Sequence, residues 1–189
     1  GGTRFRGILL EPAAAGGGSP AREAWHPCAQ AAALREPGYH APVANAKSFQ
    51  YEVSLGWDGR RSSTLSTPGR PPIQSGPPAD FPDGEAERWS PEHLLLAGLA
   101  SCTMISFLAH AEHKGVEVAD YSAEIGGTVM RRVEDGRYAF VHIHQRPRVT
   151  VAAGQAEQAR ELIGKAERDC FISASVTAEV QNDWEIAEA

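Results

Sequence analysis

One long apolar segment, Ser90 to Gly115, constrains the fold more than any other part of the chain. Ser90 is a favoured helix N-cap residue, and Pro91 suits the first helical position because its missing N–H has no partner there. Glu92 places a carboxylate where the helix dipole favours negative charge, and Gly115 is a stop signal. The residues between are apolar on nearly every face. The segment therefore predicts a buried helix of about 24 residues, roughly 36 Å long.

Two cysteines lie on apolar stripes of two predicted helices. The stripe on the first helix has 4-3-4-3 spacing and consists of Leu95, Leu99, Cys102, Ser106 and Ala109. A second helix is predicted from near Gly154, with the stripe Ala156, Ala159, Ile163, Ala166 and Cys170. If the stripes face each other, both thiols lie in one seam. A disulfide would then require Cα atoms less than about 7 Å apart, and the pattern permits this without showing that the cysteines meet.

The position of Glu92 predicts a homodimer. Glu92 precedes Cys102 by ten residues, which is about 15 Å along a continuous helix, and the two side chains point in different directions. Glu92 therefore cannot touch the sulfur of its own chain unless the first turns are broken. If this carboxylate serves the thiol, a partner chain must supply it.

The other segments predict an α+β domain with an antiparallel sheet. Alternating apolar residues from Phe49 to Leu55 indicate a half-buried strand. The later elements are a hairpin return over Arg61 to Thr67, a surface loop over Pro68 to Asp83, strands over Val116 to Arg132 and Tyr138 to Val151, and a last strand over Val176 to Ile186. The turns between strands are expected at Asp58-Gly59 and Asp135-Gly136, because such pairs favour tight hairpins.

Composition bounds the domain organisation and the possible partners. Residues 1–46 are rich in Ala, Gly and Pro, which predicts a flexible or artificially added extension before a folded domain at 47–189, and Cys28 is expected to be an incidental thiol. The 18 basic and 24 acidic residues argue against nucleic-acid binding, and no uninterrupted apolar run suggests a membrane span. Three widely spaced cysteines fit a cytoplasmic protein. His142 and His144 lack an evident third ligand, so no metal site is expected.

Two sequence segments resemble motifs of the OsmC/Ohr family, the osmotically inducible protein C-like and organic hydroperoxide resistance thiol peroxidases. These segments are SPEHLLLAGLASC, which ends at Cys102, and DCFISASV, which contains Cys170. The family pattern is N-P-E-x-L…S-x-C, followed by a second Cys after the other central helix. Ser90 replaces the usual Asn, and His93 departs from a second Glu found in the most similar branch. The resemblance covers the chain from about Phe49 to Trp184.

This resemblance implies an OsmC-like fold, with antiparallel sheets around two central helices in an intertwined homodimer. It implies reduction of organic hydroperoxides, and of hydrogen peroxide, by attack of Cys102 and formation of a disulfide with Cys170. No metal, flavin or haem is implied, and an external dithiol or lipoyl-type reductant would restore the thiols. An Arg–Glu pair should hold the thiolate, with Glu92 and Arg88 at the matching positions. Arg60 and Arg61 remain alternatives for the arginine.

A non-enzymatic function is the alternative to peroxidase activity. A dimer of the same fold could use the cysteine pair as a redox switch or bind a small ligand. Turnover with an alkyl hydroperoxide and a dithiol separates the two, since a sensor would oxidise once and stop.

Overall fold

A single long helix, α1 (Pro91–Lys114), forms as the sequence predicts. The Ser90 side chain accepts a hydrogen bond from the His93 N–H at 3.2 Å and so caps the helix start. Gly115 ends the helix with a left-handed φ of 71°, and its N–H donates to the carbonyls of Ala111 and Glu112. The helix is therefore fixed at both ends by local hydrogen bonds.

The computed structural model describes residues 47–189, and Tyr51–Ala189 forms one compact unit within them. The expectations for 1–46, including Cys28, lie outside the described residues. In chain order the other elements are β1 (Ser54–Gly59), β2 (Ser62–Ser66), β3 (Ile73–Ser75), β4 (Val118–Arg131), β5 (Tyr138–Val151), α2 (Ala156–Arg160), α3 (Ile163–Arg168), a 3-10 turn (Ser173–Ser175), β6 (Glu179–Asn182) and β7 (Glu185–Glu188). The α+β class is confirmed.

The first sheet, with strand order β1-β2-β3, differs from the prediction in three ways. The β1–β2 hairpin forms, but β1 begins at Ser54, so Phe49, Tyr51 and Val53 precede it. Moreover, β1 is not half-buried: the side chains of Leu55 and Trp57 are 66% and 75% exposed. The loop predicted after β2 also contains the short strand β3, which pairs with β2. Among residues 47–189, no layer covers the apolar positions of β1.

The second sheet combines antiparallel and parallel strands. As predicted, β4 and β5 form a long antiparallel hairpin that turns at Gly136. The predicted last strand is divided into β6 and β7, and both run parallel to β5. The division falls at Asp183, whose N–H donates to the Gln145 carbonyl at 2.8 Å, and at Trp184, whose indole turns inward to Glu167. The sheet is therefore mixed rather than purely antiparallel.

The second predicted helix is also divided, into α2 and α3. Leu162, between them, is 2% exposed, and its N–H bonds to the Ala159 carbonyl three residues back, which tightens the chain at this point. The predicted stripe is otherwise buried, since Ala156, Ala159 and Ala166 lie in the core. Burial of Leu162 shows that the apolar face turns where the helix is interrupted.

The core-facing stripe of α1 is shifted from the predicted one. Its buried residues are Leu99, Thr103, Phe107 and Ala111, at a constant spacing of four. Phe107 packs against the rings of Tyr121 and Trp184, with centroid distances of 6.2 and 5.1 Å. The helix is long and apolar enough to cross a membrane, but here it packs against α3 and β4 as the central helix of the fold.

Candidate functional site

The structure brings Cys102 and Cys170 together beside the second sheet. Cys170 forms a buried cluster with Leu99 and Ile143, and Cys102 packs against this cluster from α1. Both thiols are free. Cys170 is 1% exposed, whereas Cys102, one position away from the buried stripe, is only partly buried. The two thiols, which the sequence pattern permitted to share a seam, thus pack in one cluster with Cys102 at its edge.

Hydrogen-bond donors surround the sulfur of Cys170. The Thr103 hydroxyl lies 3.7 Å from this sulfur, and the Ser173 N–H lies 3.5 Å from it. Burial alone would raise the pKa of Cys170, but the hydrogen bonds from Ser173, Cys102 and Thr103 outweigh it and lower the pKa. Cys170 is consequently the sulfur better suited to carry negative charge in this chain.

Cys102 has the opposite character. Burial raises the pKa of its thiol, and the hydrogen bond that it shares with Cys170 raises it further. The main chain at Ile172 and Phe171 contributes hydrogen bonds that lower the pKa, without reversing the shift. A cation close to Cys102 would lower this pKa and favour the thiolate.

Glu92 lies away from the thiols of its own chain. Because α1 is continuous, the ten residues from Glu92 to Cys102 span about 15 Å. The side chain is partly buried, and its Oε2 atom is buried without a hydrogen-bond partner among the described residues. A buried carboxylate oxygen without a donor is costly, so its position favours a partner from outside these residues.

Arg88 is held by the loop and the first sheet. The chain returns to β3 at Trp89, which bridges Ser75. Arg88 Nη1 then donates to Gln74 Oε1 at 2.7 Å, and Nε donates to Glu85 Oε2 at 3.0 Å. Asp58 Oδ2 lies 3.8 Å from Nη1. Within residues 47–189, neither Glu92 nor a cysteine is among the ion-pair or hydrogen-bond partners of Arg88, so the predicted Arg–Glu pair is not formed inside one chain.

The two alternative arginines also pair with a carboxylate of the loop. Arg60 Nη1 and Arg61 Nε lie 3.5 and 3.9 Å from the Asp83 carboxylate. Their side chains are largely exposed, at 83% and 58%, so these pairs contribute little to stability. Within residues 47–189, all three candidate arginines therefore pair with carboxylates of the loop or of β1.

Comparison with known proteins gives the family. Residues 84–185, more than half of the 189, match the family model described as OsmC-like protein. The chain belongs to the OsmC-like protein family. The matched range includes both cysteines, Glu92 and Arg88, whereas Arg60 and Arg61 precede it.

One curated relative and several solved structures support the assignment. The chain is 31% identical over 103 residues to the uncharacterized protein YmaD of Bacillus subtilis, covering 52% of this chain and 67% of YmaD. An OsmC-like protein of unknown function from Vibrio cholerae superposes with a TM-score of 0.67 at 21% identity, covering 72% of this chain and 99% of that one.

Two other OsmC-like structures are named for hydroperoxide resistance. The organic hydroperoxide resistance protein of Elizabethkingia anophelis has a TM-score of 0.58 at 14% identity, covering 76% of this chain and all of that one. The corresponding protein of Legionella pneumophila has a TM-score of 0.55 at 20% identity, covering 74% and 99%. At these identities the likeness shows the fold, and the predicted OsmC-like fold is confirmed.

Thr103 and Ser173 are the site residues that sequence reasoning did not single out. Both are common residue types, and only the position of Thr103 beside Cys102 and of Ser173 three residues after Cys170 could have indicated them. His110 on α1 lies near the site, with its Nε2 atom 3.0 Å from the Oδ2 atom of Asp169, the residue before Cys170. No cluster of three or more metal-ligating side chains occurs within residues 47–189.

Proposed function

We propose that this OsmC-like protein is a thiol-dependent peroxidase that reduces organic hydroperoxides to alcohols, and smaller peroxides such as hydrogen peroxide to water. The observation that carries this proposal is the pair of free thiols, Cys102 and Cys170, packed in one apolar cluster. The names of the Elizabethkingia and Legionella structures support the choice of hydroperoxides as substrates.

The chemistry requires both cysteines and no bound cofactor. The Cys102 thiolate attacks the terminal peroxide oxygen, the O–O bond breaks, and the alkoxide takes up a proton and leaves as an alcohol. The resulting sulfenic acid on Cys102 is attacked by the Cys170 thiolate. Hydroxide leaves with a proton as water, and the Cys102–Cys170 disulfide forms. An external dithiol or lipoyl-type reductant then supplies two electrons and two protons.

A cation must stabilise the Cys102 thiolate, and we assign Arg88 to this role with Glu92 orienting it. The raised pKa of Cys102 supports the need for the cation. The buried Oε2 of Glu92 has no hydrogen-bond partner within residues 47–189, which supports a contact with a group outside them. Arg60 and Arg61 remain alternatives because they lie on the same hairpin turn, near the loop that leads to Arg88.

The functional unit in this proposal is a homodimer. Leu55 and Trp57 of β1 are largely exposed in one chain, and Ile105 of α1 is 59% exposed. Large exposed apolar positions on a strand and on a central helix are typical of an interface. A second copy would cover them and bring another Glu92 to the site. We further propose that the dimer works in the cytoplasm, without nucleic-acid or membrane partners.

One observation favours the non-enzymatic alternative. Within residues 47–189 no arginine side chain bonds to either cysteine sulfur, and Cys102 disfavours its charged form. A slow, stoichiometric oxidation of the pair would suit a redox-sensing dimer. The distinction is therefore between repeated turnover and a single oxidation.

The decisive experiment follows consumption of cumene hydroperoxide by the wild type, Cys102→Ser and Cys28→Ser with dithiothreitol and dihydrolipoamide in parallel. We expect repeated turnover by the wild type and by Cys28→Ser, and loss of turnover in Cys102→Ser. Peptide mapping after one equivalent of peroxide should find Cys102 linked to Cys170 within one chain. A single oxidation without turnover would support the sensor, and a Cys102–Cys102 link between chains would contradict the proposed disulfide.

A further inference from the structure

We infer that Thr103 and Ser173 are positioning residues that hold Cys170 as the leaving thiolate, so that the reductant attacks the sulfur of Cys102. The inference rests on the proposed function, because it concerns how the Cys102–Cys170 disulfide is reduced. It assigns two residues and one reaction direction that the family membership does not supply.

The first support is the arrangement of donors around Cys170. Thr103 is 2% exposed, and its hydroxyl lies 3.7 Å from the Cys170 sulfur and 3.1 Å from the Leu99 carbonyl. A hydroxyl has one hydrogen to donate. It can therefore bond to Leu99 while Cys170 is uncharged and turn to the sulfur when negative charge develops there, without any movement of the main chain.

Ser173 supplies a donor that is fixed by the chain itself. Its N–H lies 3.5 Å from the Cys170 sulfur, at the start of the 3-10 turn. Its hydroxyl donates to the Cys170 carbonyl at 3.0 Å, which ties the turn back onto the cysteine. This main-chain donor is already in place before Cys170 leaves. Preorganised donors of this kind favour charge where they point.

The exposure of the two cysteines also favours attack of the reductant on Cys102. Cys170 is 1% exposed, whereas Cys102 is only partly buried. Thiol–disulfide exchange is faster when the attacked sulfur is accessible and when the leaving thiol has the lower pKa. The pKa of Cys170 is lowered and that of Cys102 is raised. Both requirements therefore select Cys102 as the attacked sulfur.

A competing route exists through a cavity of about 260 Å³ behind Cys170, lined by Thr103, Ser173, Glu167 and Asn182 among others. This cavity touches Cys170 but not Cys102. A thiolate that entered it would meet the carboxylate of Glu167, whose Oε1 is fixed by the Trp184 indole at 2.9 Å. Attack from this side would also force Cys102 to leave, which its raised pKa disfavours.

The inferred route reduces the Cys102–Cys170 disulfide in two exchange steps. The reductant thiolate forms a bond to the Cys102 sulfur while the Cys102–Cys170 bond breaks, and Cys170 leaves as a thiolate. A second thiolate from the reductant then attacks the reductant sulfur of the mixed disulfide. The oxidised reductant is released, Cys102 departs as a thiolate, and both cysteine sulfurs recover protons. Two electrons pass from the reductant to the protein.

The test uses a disulfide made without peroxide, so that it does not depend on peroxidase activity. Wild-type protein is oxidised with diamide, exposed briefly to 2-mercaptoethanol, quenched in acid and blocked with N-ethylmaleimide before peptide mapping. We expect mercaptoethanol on Cys102 and maleimide on Cys170, in several-fold excess over the reverse pattern, because exchange is faster at the accessible sulfur and with the leaving thiol of lower pKa. Mercaptoethanol mainly on Cys170 would overturn the inference.

Thr103→Val and Thr103→Ser form a matched pair of variants. Valine keeps the buried shape but removes the hydroxyl, and serine restores it. We expect Thr103→Val to raise the pKa of Cys170, measured in a Cys102→Ser background by thiolate absorbance, and to remove most of the excess of the Cys102 adduct. Thr103→Ser should recover both values. Equal pKa values and equal adduct ratios in the two variants would remove Thr103 from the assigned role.

Failure of this inference and failure of the proposed function give different results. If diamide produces no Cys102–Cys170 disulfide, both are overturned. If the disulfide forms and the adduct is found on Cys170, only the direction of attack is wrong. A protein that does not turn over peroxide but gives the Cys102 adduct retains the inference as a property of a redox switch.

Discussion

The region around Cys102 and Cys170, here called the thiol region, is formed largely by contacts within one chain. The first sheet, β1–β3, is not. Cys170, with Leu99 and Ile143 around it, is buried, and its sulfur has donors within the same chain. In the β1–β2–β3 sheet, by contrast, the apolar residues Leu55 and Trp57 remain largely exposed. The arginines beside this sheet pair with nearby carboxylates of the loop and of β1 rather than with Glu92 or a cysteine.

This difference separates the two halves of the proposed reaction. The components for disulfide exchange, namely two adjacent thiols and the donors to Cys170, are present in one chain. The components for attack on peroxide, namely a cation and a carboxylate beside Cys102, are not assembled within residues 47–189. If the proposal is correct, disulfide exchange should tolerate loss of the dimer, whereas attack on peroxide should not.

The largest effect is expected from Leu55→Asp. Leu55 is 66% exposed in one chain, so a carboxylate there should leave the fold of that chain intact. In a dimer that covers β1, an unpaired charge would be buried and should weaken association by roughly a hundredfold or more. Light scattering should give twice the 20.2 kDa chain mass for the wild type and a value near one chain for Leu55→Asp.

Val133→Asp is the matched control for this variant. Val133 is 97% exposed at the β4–β5 turn, and an aspartate there should leave the mass unchanged. Peroxide consumption should fall with the dimer in Leu55→Asp, while reduction of a diamide-made disulfide should persist. A dimeric Leu55→Asp protein, or a wild-type monomer that turns over peroxide, would contradict the shared site.

A smaller effect is expected from the arginine and its carboxylate. If Arg88 holds the thiolate and Glu92 orients it, Arg88→Ala and Glu92→Gln should each lower peroxide turnover by roughly ten- to a hundredfold, since charge-assisted contacts contribute about 1.5–3 kcal/mol. The pKa of Cys102, measured as alkylation rate against pH, should rise in both variants. Neither variant should change the mass of the dimer.

Arg60→Ala and Arg61→Ala are the internal controls, because either arginine could hold the thiolate instead. The arginine that matters is the one whose loss raises the pKa of Cys102 most. In the Leu55→Asp background, the effect of Arg88→Ala should disappear if the arginine acts across the interface, as a double-mutant cycle would detect. Unchanged pKa and turnover in Arg88→Ala would show that Arg88 is only a loop residue.

Local signals in the sequence predicted local structure well. The ends of α1 were predictable because Ser90 and Gly115 act through hydrogen bonds to residues within a few positions. The β4–β5 hairpin was predictable for the same reason, since its turn at Gly136 joins adjacent segments. Features that depend on contacts between segments far apart in the sequence were predicted less well. An example is the parallel pairing of β6 and β7 with β5.

The candidate site shows the same division. The two apolar stripes only permitted Cys102 and Cys170 to lie close together, and the 4-3-4-3 stripe placed Cys102 where Thr103 actually lies in the core. Which face of an apolar helix is buried depends on the layers around it, and α1 has no polar face to indicate the answer. The environment of the arginine depends on loop contacts and on any second chain, neither of which has a periodic signal.

The smallest effect, on stability, is expected at Asp169, which directly precedes Cys170 in the thiol region. Arg168 lowers the pKa of Asp169 to about 2, from its usual 3.8, against a raising effect of burial and with help from His110. Between about pH 2 and pH 3.8, Asp169 is therefore largely protonated in the unfolded chain and largely charged in the folded chain. The resulting stabilisation is complete above about pH 3.8 and is lost as the pH falls through 2.

Asp169→Asn removes this carboxylate while keeping its shape. We expect the variant to be slightly less stable than the wild type at neutral pH, with the difference in free energy of unfolding shrinking between pH 3.8 and 2, as measured by urea unfolding. Asp120→Asn, an exposed position on β4, is the matched control. Because Arg168, Asp169 and His110 belong to one chain, the same pH dependence should persist in the Leu55→Asp background. If the pH dependence of Asp169→Asn equals that of the wild type, or if it vanishes together with the dimer, the thiol region is not as independent of the partner chain as its contacts indicate.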